Sequence, residues 1–315
     1  MRQKISVVIP VLNDEKKIEK CLEAVFNQTI YPIEVVVVDG HSSDRTVINA
    51  MKFPIKLVYE NFGTVGGARQ VGIENAIGDY IAFTDSDCIP EKNWLENLLK
   101  EFQTDIVGVG GGIRNIGKGI WEESISLALD SFLGSANSVQ DRVLKKKMFV
   151  KSISGCNSMY RKNDLLNMGG FNVRYSFNED TDINRRLLKT GQILYTPEAI
   201  VLHNQERNLK EFCKRMYFFG YGRGFHTLFD LQVIPPISLT FVILFLFFYP
   251  VVFLILLSIY FAILLMFSIY IVYQNRKFRK LKYFLILPVI FVLEHIFYSI
   301  GFWFGLTKNI FGEKK

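Results

Sequence analysis

Asp85-Ser86-Asp87 stands where an apolar run, Tyr80-Ile81-Ala82-Phe83-Thr84, meets a loop. Two carboxylates two residues apart repel each other, and burial raises that cost, so the pair needs a cation or water beside it. A hard divalent cation on one or two carboxylates keeps open positions for phosphate oxygens, which points to chemistry on a diphosphate. A solvated turn after a strand uses the same residue types. Glu179-Asp180 opens a helical pattern. A carboxylate there is stabilised by unpaired helix N–H groups and can accept a proton from an attacking hydroxyl, although plain N-capping would use it too. In the loop after Pro10, Asn13 and Glu15 can bond the edge of a base, and Asp39 can take an N–H or a ribose hydroxyl; helix caps and turns are the structural alternative. Arg69, just after Gly66-Gly67, suits a phosphate, or is a surface cation beside a turn. His203 closes a short strand and could touch a metal or a diphosphate, or serve structure alone.

The elements that must position these residues alternate. Apolar runs at 5–9, 33–38, 55–59 and 80–84 read as strands, separated by helical patterns at 18–26, after Ser43 or Asp44, and at 65–77. Pro90 opens a further helix whose apolar face carries Trp94, Leu95, Leu98, Leu99 and Phe102. Strands alternating with helices imply βαβ units, a mostly parallel Rossmann-like sheet and an α/β fold. Ligands then bind at the carboxyl ends of the strands, which is where Pro10–Asn13, Asp39–Asp44 and Asp85–Asp87 all fall. Beyond residue 105 the pattern loosens. A glycine-rich strand is expected at 106–113, a helix at 120–133, a polar and basic loop over the rim at 135–151, a return to strand at 148–158, a helix at 180–189, and short strands at 193–195 and 199–202.

The 315 residues carry a net charge of +7, unevenly distributed. Residues 237–273 contain no charged side chain, and residues 283–306 contain only Glu294, with His295 beside it. Stretches of that length and composition read as membrane helices, here expected at 237–255, 257–274 and 283–306. Residues 5–10 are too short for the apolar core of a signal peptide. Arg276, Lys277, Arg279, Lys280 and Lys282 lie between the apolar stretches, and the positive-inside rule puts them, and with them the first 207 residues, in the cytoplasm. Lys145, Lys146, Lys147 and Lys151 form a second cluster, which suits anionic lipid, a phosphate-bearing substrate or a solvated face. Residues 209–228 read as an amphipathic helix on the membrane surface within a linker, 208–235, ahead of the membrane segments in 236–315. Nucleic acid is excluded as a partner, because the basic residues abut membrane segments and no binding motif is present. Cys21, Cys88, Cys156 and Cys213 include no C-x-x-C pair, which argues against a disulfide framework.

Taken together, residues 5–15, 35–46, 67–90, 155–171 and 177–183 resemble glycosyltransferase family 2 in order and spacing, over roughly residues 4–225. With Tyr221-Gly222-Arg223 and the membrane segments, the chain is similar to the membrane-anchored, succinoglycan-biosynthesis type. The resemblance implies a GT-A fold and inverting transfer from a nucleoside-diphosphate sugar to a hydroxyl. It implies that Pro10, Asn13, Glu15 and Asp39 hold the nucleoside and that Asp85 and Asp87 hold Mg²⁺ or Mn²⁺ on the diphosphate; beside these, Arg69, Asp85 and Ser86 are expected to serve the donor and His203 to join the metal site. Asp180 would take the acceptor's proton, with Glu179 beside it. Gly40 stands where many members have a second Asp; the Q-x-x-R-W signature of processive synthases is absent, so one sugar per binding event is expected. The membrane part would hold the rim near a polyprenyl- or dolichyl-linked glycan acceptor. Pro10–Glu15 holds no glycine, which excludes a dinucleotide-binding oxidoreductase and a nucleotidyltransferase. A non-catalytic membrane scaffold of the same fold is the remaining alternative.

Overall fold

A computed structural model describes residues 3–117, 119–135, 138–139, 142–204, 208–275 and 281–311. The chain divides into two compact units, Met1–Ile116 with Ser138–Gln205, and Gly117–Asn137 with Glu206–Lys315. The excursion at 117–137 thus departs from the continuous 1–207 domain expected from sequence.

In the first unit the chain runs β1 (Ile5–Val11), α1 (Ile18–Phe26), β2 (Glu34–Asp39), α2 (Thr46–Ala50), β3 (Lys56–Tyr59), α3 (Val65–Asn75), β4 (Tyr80–Phe83), β5 (Cys88–Pro90), α4 (Trp94–Leu99) and β6 (Ile106–Asn115). After α5 (Ile120–Leu129) and α6 (Phe132–Ser135) of the second unit, it resumes with β7 (Met148–Phe149), β8 (Ser158–Arg161), α7 (Lys162–Asn167), α8 (Glu179–Leu187) and β9 (Gln192–His203). The sheet order is β3-β2-β1-β4-β8-β6-β9-β5, with β7 on β9. Strands β1 to β4 pair in parallel, as the βαβ pattern requires. β8 enters antiparallel between β4 and β6, so the second half of the sheet is mixed. Val7 and Ile9 of β1 pack into one core layer and Val8 into the other, all three fully buried. A strand covered on both faces reads as one apolar run rather than an alternation. Each such side chain contributes about 1.5–3 kcal/mol, and the strand runs one residue past Pro10, to Val11 at the rim.

The second unit is helical: α5, α6, α9 (Leu209–Phe225), α10 (Ile234–Phe248), α11 (Pro250–Gln274) and α12 (Leu281–Phe311). Three helical stretches, Leu231–Phe248, Pro250–Gln274 and Leu281–Phe311, are long and apolar enough to cross a membrane. The break within the first apolar stretch falls at Tyr249-Pro250, not near residue 256. Pro250 opens α11 because its missing N–H costs nothing in a first helical turn. His295 Nδ1 meets Tyr260 Oη of α11 at 2.9 Å, so this polar residue faces a neighbouring helix. The basic cluster at 276–280 lies outside the described residues.

α9 does not have the solvent-and-lipid faces of a surface helix. Gly220 and Gly224 seat against the carbonyls of Tyr298 and Phe302 in α12, while Gly301 and Gly305 of α12 seat against Tyr217 and Tyr221 of α9. Small residues four apart on both helices let the backbones touch. Gly301→Leu is expected to force them apart at a cost of at least about 1–3 kcal/mol, seen as an earlier thermal transition of the detergent-solubilised protein. An unchanged transition would mean that this packing is not formed.

Candidate active site

Three strand-end loops are tied together by side chains. Asn13, in the left-handed region at φ 51°, accepts a hydrogen bond on Oδ1 from the Ser43 N–H at 2.8 Å. Ser42 Oγ accepts the Asn13 N–H at 2.8 Å, and Glu15 Oε2 accepts the Arg45 N–H at 3.0 Å. Asp39, fully buried, accepts the Ser42 N–H and hydroxyl at 2.8 and 2.5 Å. Ser86 Oγ donates to Asp14 Oδ2 at 2.6 Å, which joins the β4 loop to the β1 loop. Burial raises the Asp14 carboxyl above its ordinary value, and Ser86 opposes that. The expected nucleoside residues are therefore gathered on one rim, where Asn13, Glu15 and Asp39 also shape the loops. Beside them lies an exposed pair that sequence reasoning missed: His41 stacks on Tyr59 with ring centroids 5.5 Å apart, and its Nε2 meets Asn61 Oδ1 at 2.8 Å.

Arg69 takes a different place from the one expected. It is 3% exposed, with Nη1 on Glu179 Oε1 and Nη2 on Asp85 Oδ1 at 3.0 Å. The Phe171 ring lies 5.9 Å from the guanidinium, and a Cβ at Gly155 would collide with it. Both terminal nitrogens form a carboxylate clamp inside the fold. Burial raises the Asp85 and Glu179 carboxyls, and in each the Arg69 guanidinium is the main opposing influence. The clamp links α3, β4 and α8 across 110 residues of chain.

α8 opens on Asn178, left-handed at φ 58°, so Glu179 and Asp180 both fall in its first turn. Their environments differ. Glu179 is buried on Arg69, whereas Asp180 is half-buried and accepts the Gly155 N–H on Oδ2 at 3.2 Å. The helix is pinned by Asn184, which accepts from Tyr160 Oη at 2.9 Å and donates to the Ile153 carbonyl at 2.9 Å. Asn157, also missed, is fully buried and joins Trp94 Nε1 at 2.8 Å to the Gly112 and Ala199 carbonyls, which fixes the floor of β6 and β9. Neither asparagine stands out in sequence, since an isolated amide has no local pattern.

Asp87 Oδ1 lies 3.3 Å from His203 Nε2, and Asp87, Cys88 and His203 present ligand atoms within 4.8 Å of one another. Glu179, Asp85 and Asp180 lie around the buried Arg69 guanidinium, and Asp87 lies near Asp14, Asp85 and His203. These groups fit a divalent cation, which Asp87 and His203 would hold, with Asp85 bonded to Arg69 through Oδ1. Burial pushes the Cys88 thiol well up, and a sulfur is a poor partner for a hard ion.

A mixed α/β sheet with carboxylates and a histidine at strand ends suits a phosphate-bearing ligand. Residues 6–168 match the family described as Glycosyl transferase family 2, and the chain belongs to that family. It is 27% identical, over 97% of its length and 98% of the relative's, to a dolichyl N-acetyl-alpha-D-glucosaminyl phosphate 3-beta-D-2,3-diacetamido-2,3-dideoxy-beta-D-glucuronosyltransferase of Methanococcus voltae. It is 28% identical to glycosyltransferase AglE of Haloferax volcanii over 70% of this chain and 72% of that one. Among solved structures, mannosyltransferase PcManGT from Pyrobaculum calidifontis, in complex with GDP-Man and Mn²⁺, shares the fold with a TM-score of 0.62 at 16% identity, covering 100% of this chain and 89% of that chain. S. aureus TarS matches with a TM-score of 0.51 at 20% identity over 75% of this chain, which spans only 42% of TarS. The protein is a glycosyltransferase with a GT-A fold and a membrane-associated helical unit.

Proposed function

We propose that the chain transfers one sugar per binding event, with inversion, from a nucleoside-diphosphate sugar to a hydroxyl of a glycan carried on a polyprenyl or dolichyl lipid, at the cytoplasmic face of the cell membrane. The observation that carries this reading is the separation of the two carboxylates that open α8: Glu179 is buried and locked on Arg69, whereas Asp180 is half-buried and accepts the Gly155 N–H on Oδ2 and the Thr181 N–H and hydroxyl on Oδ1. Asp180 accepts the acceptor's proton as its oxygen forms a bond to the anomeric carbon, and the bond from that carbon to the diphosphate oxygen breaks on the opposite face. Asp87 and His203 would hold Mg²⁺ or Mn²⁺, which supplies charge neutralisation for the leaving diphosphate. No acid is then needed at the leaving oxygen, unlike glycoside hydrolysis. Asp85 and Ser86 position the β4 loop, Pro10, Asn13, Glu15 and Asp39 the nucleoside, and the His41–Tyr59 stack offers the base a flat face.

The acceptor class is supported by the Methanococcus voltae relative, whose name specifies a dolichyl phosphate-linked substrate, and by the three membrane-length helices. The cytoplasmic placement is supported by the basic residues between the apolar segments. Lys145, Lys146 and Lys151 are exposed around exposed Met148 and Phe149, a combination that suits an anionic bilayer surface.

The test is transfer from a panel of nucleoside-diphosphate sugars to a polyprenyl- or dolichyl-phosphate-linked glycan, with the anomeric configuration read by NMR. Retention of configuration overturns the mechanism. Chelation by EDTA is expected to abolish transfer, and Mn²⁺ or Mg²⁺ to restore it. Asp87→Ala and His203→Ala are each expected to raise the metal concentration needed by roughly 10–100-fold or more; turnover in EDTA would remove the metal from the reaction.

A further inference from the structure

We propose that Cys88 makes the cation pocket a three-ligand site for a borderline-soft ion such as Zn²⁺, which displaces Mg²⁺ or Mn²⁺ from Asp87 and His203. This rests on the reading of Asp87 and His203 as metal ligands. The first support is distance. In a tetrahedron with metal–oxygen and metal–nitrogen bonds of about 2.0 Å and a metal–sulfur bond of about 2.3 Å, the nitrogen–oxygen edge is roughly 3.3 Å and the sulfur–oxygen edge roughly 3.5 Å. His203 Nε2 lies 3.3 Å from Asp87 Oδ1, and Cys88 Sγ lies 3.8 Å from the same oxygen. The first edge is met, and the second is within a small side-chain rotation.

The second support is the backbone. Cys88 and His203 are direct cross-strand partners in the antiparallel β5–β9 pair, and Asp87 is the residue before Cys88. The sheet register itself holds the sulfur and the imidazole on one site, so little ordering is left for the ion to impose. The third support is ligand chemistry. A Cys/His/carboxylate set is the donor set of zinc, with a fourth position open to water or a phosphate oxygen. Mg²⁺ prefers six oxygens and gains nothing from sulfur. Binding replaces the Cys88 S–H bond with a sulfur–metal bond and releases that proton to solvent; no electron changes hands.

The test uses the full chain in detergent, stripped of metal with EDTA and titrated with Co²⁺. A thiolate-to-cobalt charge-transfer band is expected in the wild type, retained in Cys156→Ser and lost in Cys88→Ser. Zn²⁺ should bleach it at one equivalent, whereas Mg²⁺ in large excess should not. Equilibrium dialysis of Cys88→Ser should show Zn²⁺ binding weakened by at least about tenfold. X-ray absorption at the zinc edge of the unsubstituted protein should show one sulfur scatterer near about 2.3 Å, a reading that does not depend on how any variant folds. Metal binding that needs Asp87 and His203 but shows no sulfur would overturn the role of Cys88 and leave the underlying site standing. Metal binding indifferent to Asp87→Ala and His203→Ala would overturn both.

Discussion

Asp180→Asn is expected to keep donor binding within about twofold and to lower the transfer rate by roughly 10²–10⁴-fold, the usual worth of a positioned general base. The amide oxygen can accept only one of the Gly155 and Thr181 N–H groups, but Asn184 still pins α8, so the helix should hold its place. What it cannot do is take a proton. Donor affinity, read by calorimetry with the nucleoside diphosphate and Mn²⁺, should therefore separate from the single-turnover rate. Glu179→Gln should behave otherwise. It removes the charge that faces buried Arg69, so donor binding and thermal stability should fall together. Normal turnover by Asp180→Asn would place the base elsewhere.

The rim was legible from the sequence because each of the first strands is a run of buried apolar residues ended by Pro10, Asp39 or Asp85. The helical patterns between them imply βαβ units, which put the three loops side by side at the carboxyl ends of the strands. The pairing of Glu179 with Asp180 was legible as a helix start, but not the division of labour between them. That division depends on Arg69, 110 residues away in the chain, and long-range pairing has no local signature. The same holds for Asn157 and Asn184, whose amides matter only because β6, β9 and α8 meet around them. β8 entered the sheet antiparallel without warning, since a short strand carries no mark of direction. The excursion through α5 and α6 was read as part of the α/β unit because its apolar face looks the same whichever core it joins. Two signals were present but unread: Pro250 as a helix start, and the glycines spaced by four in both α9 and α12.

Arg69→Ala should be the most damaging single change in the first unit. It leaves Glu179 buried without a partner and Asp85 without its nearest cation, and removal of one partner from a buried ion pair costs about 3–5 kcal/mol. For a unit of this size that corresponds to a fall in Tm of roughly 6–20 °C. Arg69→Lys should recover little, because a single ammonium cannot reach both carboxylates from the slot between Gly155 and Phe171. The informative variant is Arg69→Met combined with Glu179→Met. Apolar side chains of similar volume in place of a buried ion pair are often neutral or stabilising, so thermal stability should return to near that of the parent. Transfer should not return, because Asp85 would have lost the charge that holds it in place beside Asp87. A double variant that is stable and fully active would show that the clamp serves folding alone. A double variant that is stable and inactive, with metal affinity lowered, would show that Arg69 sets the electrostatics of the cation site through Asp85.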